Sequence, residues 1–161
     1  MMKSILILLI TFFSLMSFSK EASAQQKNPV TWTFEISEKP NVMGMYEITF
    51  TATIEDKWHM YSQNLPSPDD GPLPTVFTYE YKNEFDVVGP VSEVTKAHSV
   101  FDDVFEVQVN YFDNKAVFKQ MIGLTDKSKG AFVKGTVSYM VCNDVTCLPP
   151  NDVSFSLEIK P

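Results

Sequence analysis

The sequence predicts an all-β protein, an immunoglobulin-like antiparallel β-sandwich. Apolar and polar residues alternate with a period of two through most of the chain, which is typical of strands with one buried face. No segment has a convincing helical period, and turn-forming residues recur between the alternating segments. Roughly seven to nine short strands at this spacing indicate a sandwich. The Cys–Trp–Cys spacing of true immunoglobulin domains is absent, so a disulfide between distant strands is not expected.

The individual strands are predicted from their apolar faces. In residues 46–55, Tyr46, Ile48 and Phe50 share one face, and Glu47 and Thr49 share the other. The same alternation recurs in residues 105–111 and 153–159, and further strand candidates are residues 30–37, 75–82, 85–91, 116–124 and 132–142. Turn signals separate them at residues 39–41, 89–90, 113–114, 127–130 and 149–152.

Two stretches interrupt the strand pattern and are predicted to be ordered functional loops. Residues 56–74 contain His59 and four prolines within nine residues, which restrict the backbone. Residues 95–104 contain the other histidine, His98. A rigid sandwich commonly presents its binding and catalytic residues on such loops.

The first 24 residues are predicted to be a secretory signal peptide. Lys3 supplies the positive start, residues 5–18 are apolar, and Ala22 and Ala24 form a small-residue cleavage site before Gln25. The apolar run is shorter than the about 20 residues that cross a membrane. We therefore expect a periplasmic or secreted domain of residues 25–161 that is not inserted in the membrane after cleavage.

The charge of the expected mature chain is strongly acidic. Without Lys3, Lys20 and Glu21 the chain keeps 11 of its 13 lysines and 19 of its 20 acidic residues, a net charge of −8, and it has no arginine. Nucleic acids and anionic membranes bind through lysine and arginine clusters. The composition therefore argues against nucleic acid and membrane-surface partners.

The two cysteines of the chain, Cys142 and Cys147, lie five residues apart. In the predicted strand 132–142 the alternate apolar residues form the core face, so Cys142 is expected to point outward from the main core. Asn143 and Asp144 favour a turn that would bring the two cysteines together. An exchange-active dithiol, a structural disulfide and a metal site are all compatible with this spacing.

The local sequence favours exchange that depends on a partner. A disulfide here would close a ring of six residues, which stabilises the fold by only about 2 kcal/mol through loop entropy. Asp144 lies between the cysteines and disfavours a thiolate, and no lysine or histidine is adjacent in sequence. We therefore expect the activated thiol to come from the partner.

A copper site is the third hypothesis. His59, Met60 and Met140 are candidate soft ligands beside the cysteines. No His-x-x-Met or Cys-x-x-x-His cluster supports such a site. We therefore predict no metal and no cofactor.

The run Tyr139-x-x-Cys142-x4-Cys147-Leu148-Pro149-Pro150 resembles the end of the periplasmic N-terminal domain of the transmembrane thiol:disulfide interchange protein DsbD. Lys57-Trp58-His59-Met60-Tyr61-Ser62-Gln63 and Asp103-Val104-Phe105 are weaker matches to the same family, in the same order. The chain departs from the family pattern in having one residue fewer between the cysteines and in Leu148, where the family carries an aromatic residue. The family protein continues into membrane and thioredoxin-like domains, so this chain is expected either to act in trans or to have another function.

The resemblance implies an exported domain that cycles between dithiol and disulfide, as in a protein-disulfide reductase. It implies electron transfer from thioredoxin-like or membrane thiol:disulfide oxidoreductases to exported thiol proteins. By position, Cys147 would form the mixed disulfide and Cys142 would resolve it, under a cap made by Phe105 and Phe101. The alternative is a non-catalytic interaction domain with a structural disulfide. The site residues that the resemblance implies are Cys142, Cys147, Phe105, Phe101, Asp103, Tyr61 and His59.

Overall fold

The computed structural model describes residues 28–67, 69–80 and 83–160. Within these ranges every regular element is a strand, which confirms the all-β class. The predicted signal peptide, residues 1–24, lies outside the described residues. The part of the chain that is described contains no helix long and apolar enough to cross a membrane.

The strands are β1 (Val30–Ile36), β2 (Met45–Ile54), β3 (His59–Tyr61), β4 (Val76–Tyr79), β5 (Phe85–Glu93), β6 (His98–Asp102), β7 (Val107–Phe112), β8 (Lys115–Leu124), β9 (Ala131–Tyr139), β10 (Val141–Cys142) and β11 (Asn151–Ile159).

The described strands form three antiparallel sheets. The first sheet has the order β1-β2-β8-β5, the second β10-β3-β7-β6 and the third β11-β9-β4. Strands β1 and β11 lie close together, which brings the first and third sheets into contact along one edge. All three sheets contribute side chains to one apolar core, so they pack as a β-sandwich.

The main core is built from alternate residues of the long strands. In β2, Ile48, Phe50 and Ala52 are fully buried. Across the ladder, Phe50 is paired with Phe118 of β8, and its ring packs on Phe155 of β11 with the centroids 5.2 Å apart. The alternation in the sequence therefore corresponds to the buried faces of these strands.

Gly135 of β9 lies at a close approach between neighbouring strands of the third sheet. It is opposite Phe155 of β11 on one side and Tyr79 of β4 on the other. A Cβ atom added at this position would overlap the carbonyl oxygen of Thr78 and stand 2.6 Å from the Phe155 ring. The close approach of the strands therefore requires a residue without a side chain.

Three short strands form where the sequence predicted loops or one continuous strand. Strand β3 lies inside the predicted loop 56–74 and β6 inside 95–104. The predicted strand 132–142 is two strands in different sheets, since β9 pairs with β11 and β4 whereas β10 pairs with β3. These short elements become strands through their partners rather than through an alternating apolar pattern of their own. The described chain consequently has more strands than predicted.

The second sheet carries apolar side chains on both faces. Its inner face contributes Met60, Phe112 and Val141 to the main core. Its outer face carries Tyr61 and Val109, which belong to a separate small cluster. Since successive residues of a strand point to opposite faces, the side of this sheet that turns away from the main core has its own buried centre.

Hydrogen bonds hold both ends of the proline-rich segment that follows β3. The Ser62 hydroxyl donates to Glu93 Oε1 at 2.7 Å, and the Gln63 amide donates to the same oxygen at 3.0 Å. The Thr75 hydroxyl donates to the carbonyl oxygen of Tyr61 at 2.6 Å. These bonds support the prediction of an ordered connection, and they fix the end of β3 against β5.

Candidate functional site

The two cysteines lie on a tight hairpin that follows the second sheet's edge strand, β10. The Asn143 amide donates to the Thr146 carbonyl at 2.9 Å, and the Leu148 amide donates to the Val141 carbonyl at 2.9 Å. The Asn143 side-chain oxygen also accepts the amides of Val145 at 2.9 Å and Thr146 at 2.8 Å. The predicted turn at Asn143 therefore forms, and its side chain stabilises it.

Cys142 and Cys147 form a disulfide, with their Cα atoms 4.0 Å apart. Cys142 points away from the main core, as predicted, and belongs to the outer cluster of the second sheet. It is buried there, with only 2% of its surface accessible. Cys147 is partly exposed. The two cysteine residues therefore differ in their access to solvent.

Aromatic side chains of β3 and β7 form the floor beside the disulfide. In the ladders of the second sheet, His59 is opposite Cys142 and Tyr61 is opposite Tyr111. The His59 ring packs on Tyr111 with the centroids 4.9 Å apart and contacts Tyr61 at 5.4 Å. The Tyr61 hydroxyl donates to Asp102 Oδ2 at 3.1 Å. These contacts hold the floor residues in one arrangement.

Residues 103–106 form a turn between β6 and β7 that covers the outer cluster; we call it the cap turn. Asp102 Oδ1 accepts the amides of Val104 at 2.8 Å and Phe105 at 3.2 Å, so this side chain closes the turn. Phe105 packs against the cluster that contains the disulfide. Its ring meets the edge of Tyr61 with the centroids 6.2 Å apart. Phe105 is therefore partly buried against the cluster that contains Cys142.

One cleft of about 650 Å³ brings together every site residue that the sequence implied. Phe101 lies at its rim with 55% of its surface accessible, and Asp103 is also exposed. The cleft is lined by no lysine and no arginine of the described chain. The implied residues that line it are His59, Tyr61, Phe101, Asp103, Phe105, Cys142 and Cys147.

Sequence reasoning missed three residues that shape this cleft. Asp102 links the cap turn to Tyr61, Tyr111 supports His59, and the Asn143 side chain closes the hairpin. Asn143 was predicted only as a turn former, and Tyr111 only as a strand residue. For Asp102, the one available signal was its position beside Asp103 in the predicted loop 95–104.

Burial favours the neutral forms of His59 and Tyr61 in the floor. It lowers the pKa of His59 below its usual value, and the carboxylates of Asp102, Asp144 and Asp113 offset this in part. Burial also raises the pKa of the Tyr61 phenol well above its usual range, and Asp102 adds to this effect. Neither ring therefore supplies a fixed positive charge that would stabilise a thiolate at neutral pH.

The copper hypothesis loses one of its proposed ligands. Met60 is fully buried in the main core, on the opposite face of the second sheet from Cys142. Met140 does pack against the outer cluster. Within the described residues, no group of three or more His, Cys, Asp or Glu side chains is arranged to hold a metal ion.

Comparisons with known proteins agree with this architecture. A family model described as the N-terminal domain of the thiol:disulfide interchange protein DsbD matches residues 21–159. No protein with a curated description matches the sequence.

Two solved structures are similar to this chain. The N-terminal domain of DsbD from Neisseria meningitidis, in its reduced form, has a TM-score of 0.55 and 16% identity over 82% of this chain and 86% of its own. The N-terminal periplasmic domain of ScsB from Proteus mirabilis has a TM-score of 0.56 and 11% identity over 84% of this chain and 48% of its own. This chain thus spans about half of the ScsB chain. At these identities the likeness shows the fold, and it confirms the immunoglobulin-like antiparallel sandwich.

Proposed function

We propose that Cys142 and Cys147 relay electrons between two protein partners. The chain belongs to the family of the N-terminal domain of the thiol:disulfide interchange protein DsbD. Its chemistry is therefore thiol–disulfide exchange, and the two cysteines form the disulfide that would take part in it. The proposed donor is a thioredoxin-like or membrane thiol:disulfide oxidoreductase, and the proposed acceptors are exported thiol proteins. The proposed compartment is the periplasm or the cell exterior, in line with the periplasmic ScsB domain.

The observation that carries the proposal is the unequal exposure of the two cysteine residues in one cleft. Cys142 is 2% accessible, whereas Cys147 is partly exposed beside the cap turn. Exchange requires in-line approach of a thiolate to one sulfur of the disulfide, so access selects which sulfur is attacked. Cys147 is therefore the sulfur that we assign to the mixed disulfide, and Cys142 is the resolving cysteine.

The proposed cycle has two balanced halves. A donor thiolate attacks Cys147 Sγ, the Cys142–Cys147 bond breaks, and its electron pair leaves on Cys142. A second donor thiol then displaces Cys147, so the donor is oxidised and the pair becomes a dithiol. In the other half, the Cys147 thiolate attacks a client disulfide, and Cys142 then attacks Cys147. The client is released reduced, and the Cys142–Cys147 disulfide re-forms.

The charges around the cleft suit a pair that depends on its partner for activation. Asp102, Asp103 and Asp144 line the cleft, and none of the lining residues is a lysine or an arginine. Carboxylates near a thiol oppose its ionisation. We therefore propose that the partner supplies the reactive thiolate when the disulfide is attacked.

Exposed apolar side chains surround the cleft and form the proposed docking surface. Their accessible fractions are 38% for Val100, 55% for Phe101, 74% for Val104 and 91% for Val145. All four line the same cleft as the cysteines. An exposed apolar patch next to a reactive group is typical of a protein-binding site, so this rim is where we place the partner's active-site surface.

The reduction potential of the pair tests the proposal. We expect a reduction potential above about −300 mV, which is the range of exchange-active rather than structural disulfides. The protein would be equilibrated in dithiothreitol buffers of graded potential, its free thiols alkylated, and the two forms counted by mass spectrometry. A potential well below that value would instead support the structural disulfide of a non-catalytic interaction domain.

Removal of the Phe105 ring should expose the disulfide. Since Phe105 packs over the cluster that contains the sulfur atoms, a Phe105→Ala variant should be reduced by dithiothreitol about tenfold faster, because exchange rates depend on access. The rate would be followed by quenched alkylation under pseudo-first-order conditions. Phe132→Ala is the matched control, since Phe132 is 50% accessible on β9 and does not line the cleft. Equal acceleration in both variants would contradict a shielding role for Phe105.

A further inference from the structure

We propose that His59 accepts the proton of the Cys142 thiol when Cys142 resolves the mixed disulfide, an inference that rests on the proposed exchange function. His59 of β3 is directly opposite Cys142 of β10 in the antiparallel ladder. Opposed residues project to the same face of a sheet with their Cβ atoms about 4.5–5.5 Å apart. Both side chains also line the same cleft. The imidazole and the resolving sulfur therefore face one another across neighbouring strands.

The imidazole is held in place by its neighbours. Its Nε2 atom lies 3.4 Å from the Tyr61 hydroxyl oxygen, and its ring stacks at a tilt on Tyr111 with the centroids 4.9 Å apart. Tyr61 is fixed in turn by Asp102, at 3.1 Å. A base that is positioned before the reaction loses little freedom during proton transfer, which favours catalysis.

Charged and titratable groups face His59 from every element around it. Burial keeps the imidazole neutral at neutral pH, because it lowers the pKa of His59. Once the ring has accepted a proton, the nearby carboxylates stabilise the cation that forms. The groups that share a cleft with His59 are Tyr61 on β3, Cys142 on β10, Asp144 on the cysteine hairpin, Tyr111 on β7, Asp113 in the turn after β7, Asp102 on β6, Asp103 in the cap turn, and Glu55, Asp56 and Lys57 in the turn before β3.

The assigned step conserves atoms and electrons. In the mixed disulfide, Cys147 is bonded to the client sulfur and Cys142 is a thiol. The imidazole takes the Cys142 proton while Cys142 Sγ attacks Cys147 Sγ. The Cys142–Cys147 bond forms, the bond from Cys147 to the client breaks, and the client leaves with the electron pair. In the reverse direction, the imidazolium returns the proton to Cys142 as the disulfide opens.

A stopped-flow experiment separates this step from the preceding one. The fully reduced protein is mixed with dithiobis-nitrobenzoate, whose coloured thiolate is released once when Cys147 is modified and again when Cys142 resolves the adduct. In His59→Gln we expect the first release to be unchanged and the second to be about 100-fold slower at pH 7, the lower end of general-base effects. The deficit should disappear at high pH, where the Cys142 thiol ionises without help.

Two matched variants distinguish a base from a structural residue. His98→Gln removes the other histidine, which is exposed, packs on the same Tyr111 ring and does not line the cleft. In this variant both thiolate releases should keep their wild-type rates. In His59→Ala, added imidazole should restore part of the second rate. A slow second release without pH recovery and without rescue by imidazole would overturn the inference.

The same stopped-flow traces distinguish failure of this inference from failure of the proposed function. If the wild-type protein releases both thiolates and His59→Gln matches its second rate across pH, the base assignment is wrong and the exchange function stands. If the wild-type protein releases only one thiolate, Cys142 does not resolve the adduct and the exchange function itself is wrong.

Discussion

A mixed disulfide formed through Cys147 should persist roughly 10³-fold longer in a Cys142→Ala variant than in the wild-type protein, because the intramolecular attack that resolves it is lost. The wild-type resolving sulfur is attached to the same hairpin, with its Cα atom 4.0 Å from that of Cys147. After alanine replaces it, only an external thiol removes the adduct. Incubation of the reduced protein with oxidised glutathione, followed by mass spectrometry of the intact chain at timed intervals, measures the lifetime of the adduct.

The reciprocal variant shows whether the two cysteines have distinct roles. In Cys147→Ala the remaining thiol is the one that is 2% accessible in the wild-type structure, so glutathionylation should be at least about tenfold slower than in Cys142→Ala. The double variant, which has no cysteine, controls for non-covalent association. Adducts that form equally fast on both single variants would show that access does not select Cys147.

Substitution of Gly135 by alanine should destabilise the fold by about 3 kcal/mol or more, the upper part of the range for overpacked sites. The new methyl group would overlap the Thr78 carbonyl oxygen and the Phe155 ring at once, and neither the ladder between β4 and β9 nor the packed ring can move freely. Chemical denaturation followed by tryptophan fluorescence measures the loss. Thermal unfolding should show the same change as a midpoint roughly 10 °C lower.

Gly123→Ala is the control for this substitution because it makes the same chemical change in a strand that has room. Gly123 lies in β8, where an added Cβ would meet Val88 Cγ2 at 3.7 Å, an ordinary contact. Its stability should be unchanged or up to about 1 kcal/mol higher, since alanine restricts the unfolded chain. Equal stability of the two variants would show that the sheets relax around residue 135 without cost.

The long strands could be predicted because their signal is local. The alternation in β2 and β8 places one face of each strand in the core, and the predicted bounds of both strands differ from the observed ones by one residue. Strands β3 and β10 have only three and two residues, which is too short for any period to be recognised. They exist because tertiary packing brings them beside each other and β7, and pairing of that kind leaves no mark in a single sequence.

The resemblance implied the two cysteines and a Phe105 cap, and the alternation along residues 132–142 correctly indicated that Cys142 points away from the main core. The burial of Cys142 could not be predicted, because the outer cluster around it is built from residues that are distant in sequence, such as Tyr61 and Val109. The same limit applies to His59, which has no histidine or cysteine neighbour in the sequence and meets Cys142 only through the pairing of β3 with β10. Family resemblance identified these positions, whereas the contacts that orient them, above all those of Asp102, required the folded chain.

The hydrogen bonds that close the cysteine hairpin have a consequence for the energetics of electron relay. They run between backbone groups and the Asn143 side chain, and none of them uses a sulfur atom. We therefore expect the hairpin to keep its shape when the disulfide opens, and the reorganisation energy of each exchange step to be small. If both redox forms present the same contour to a partner, the direction of electron flow in the proposed relay would follow from the partners' potentials and concentrations rather than from a change in shape.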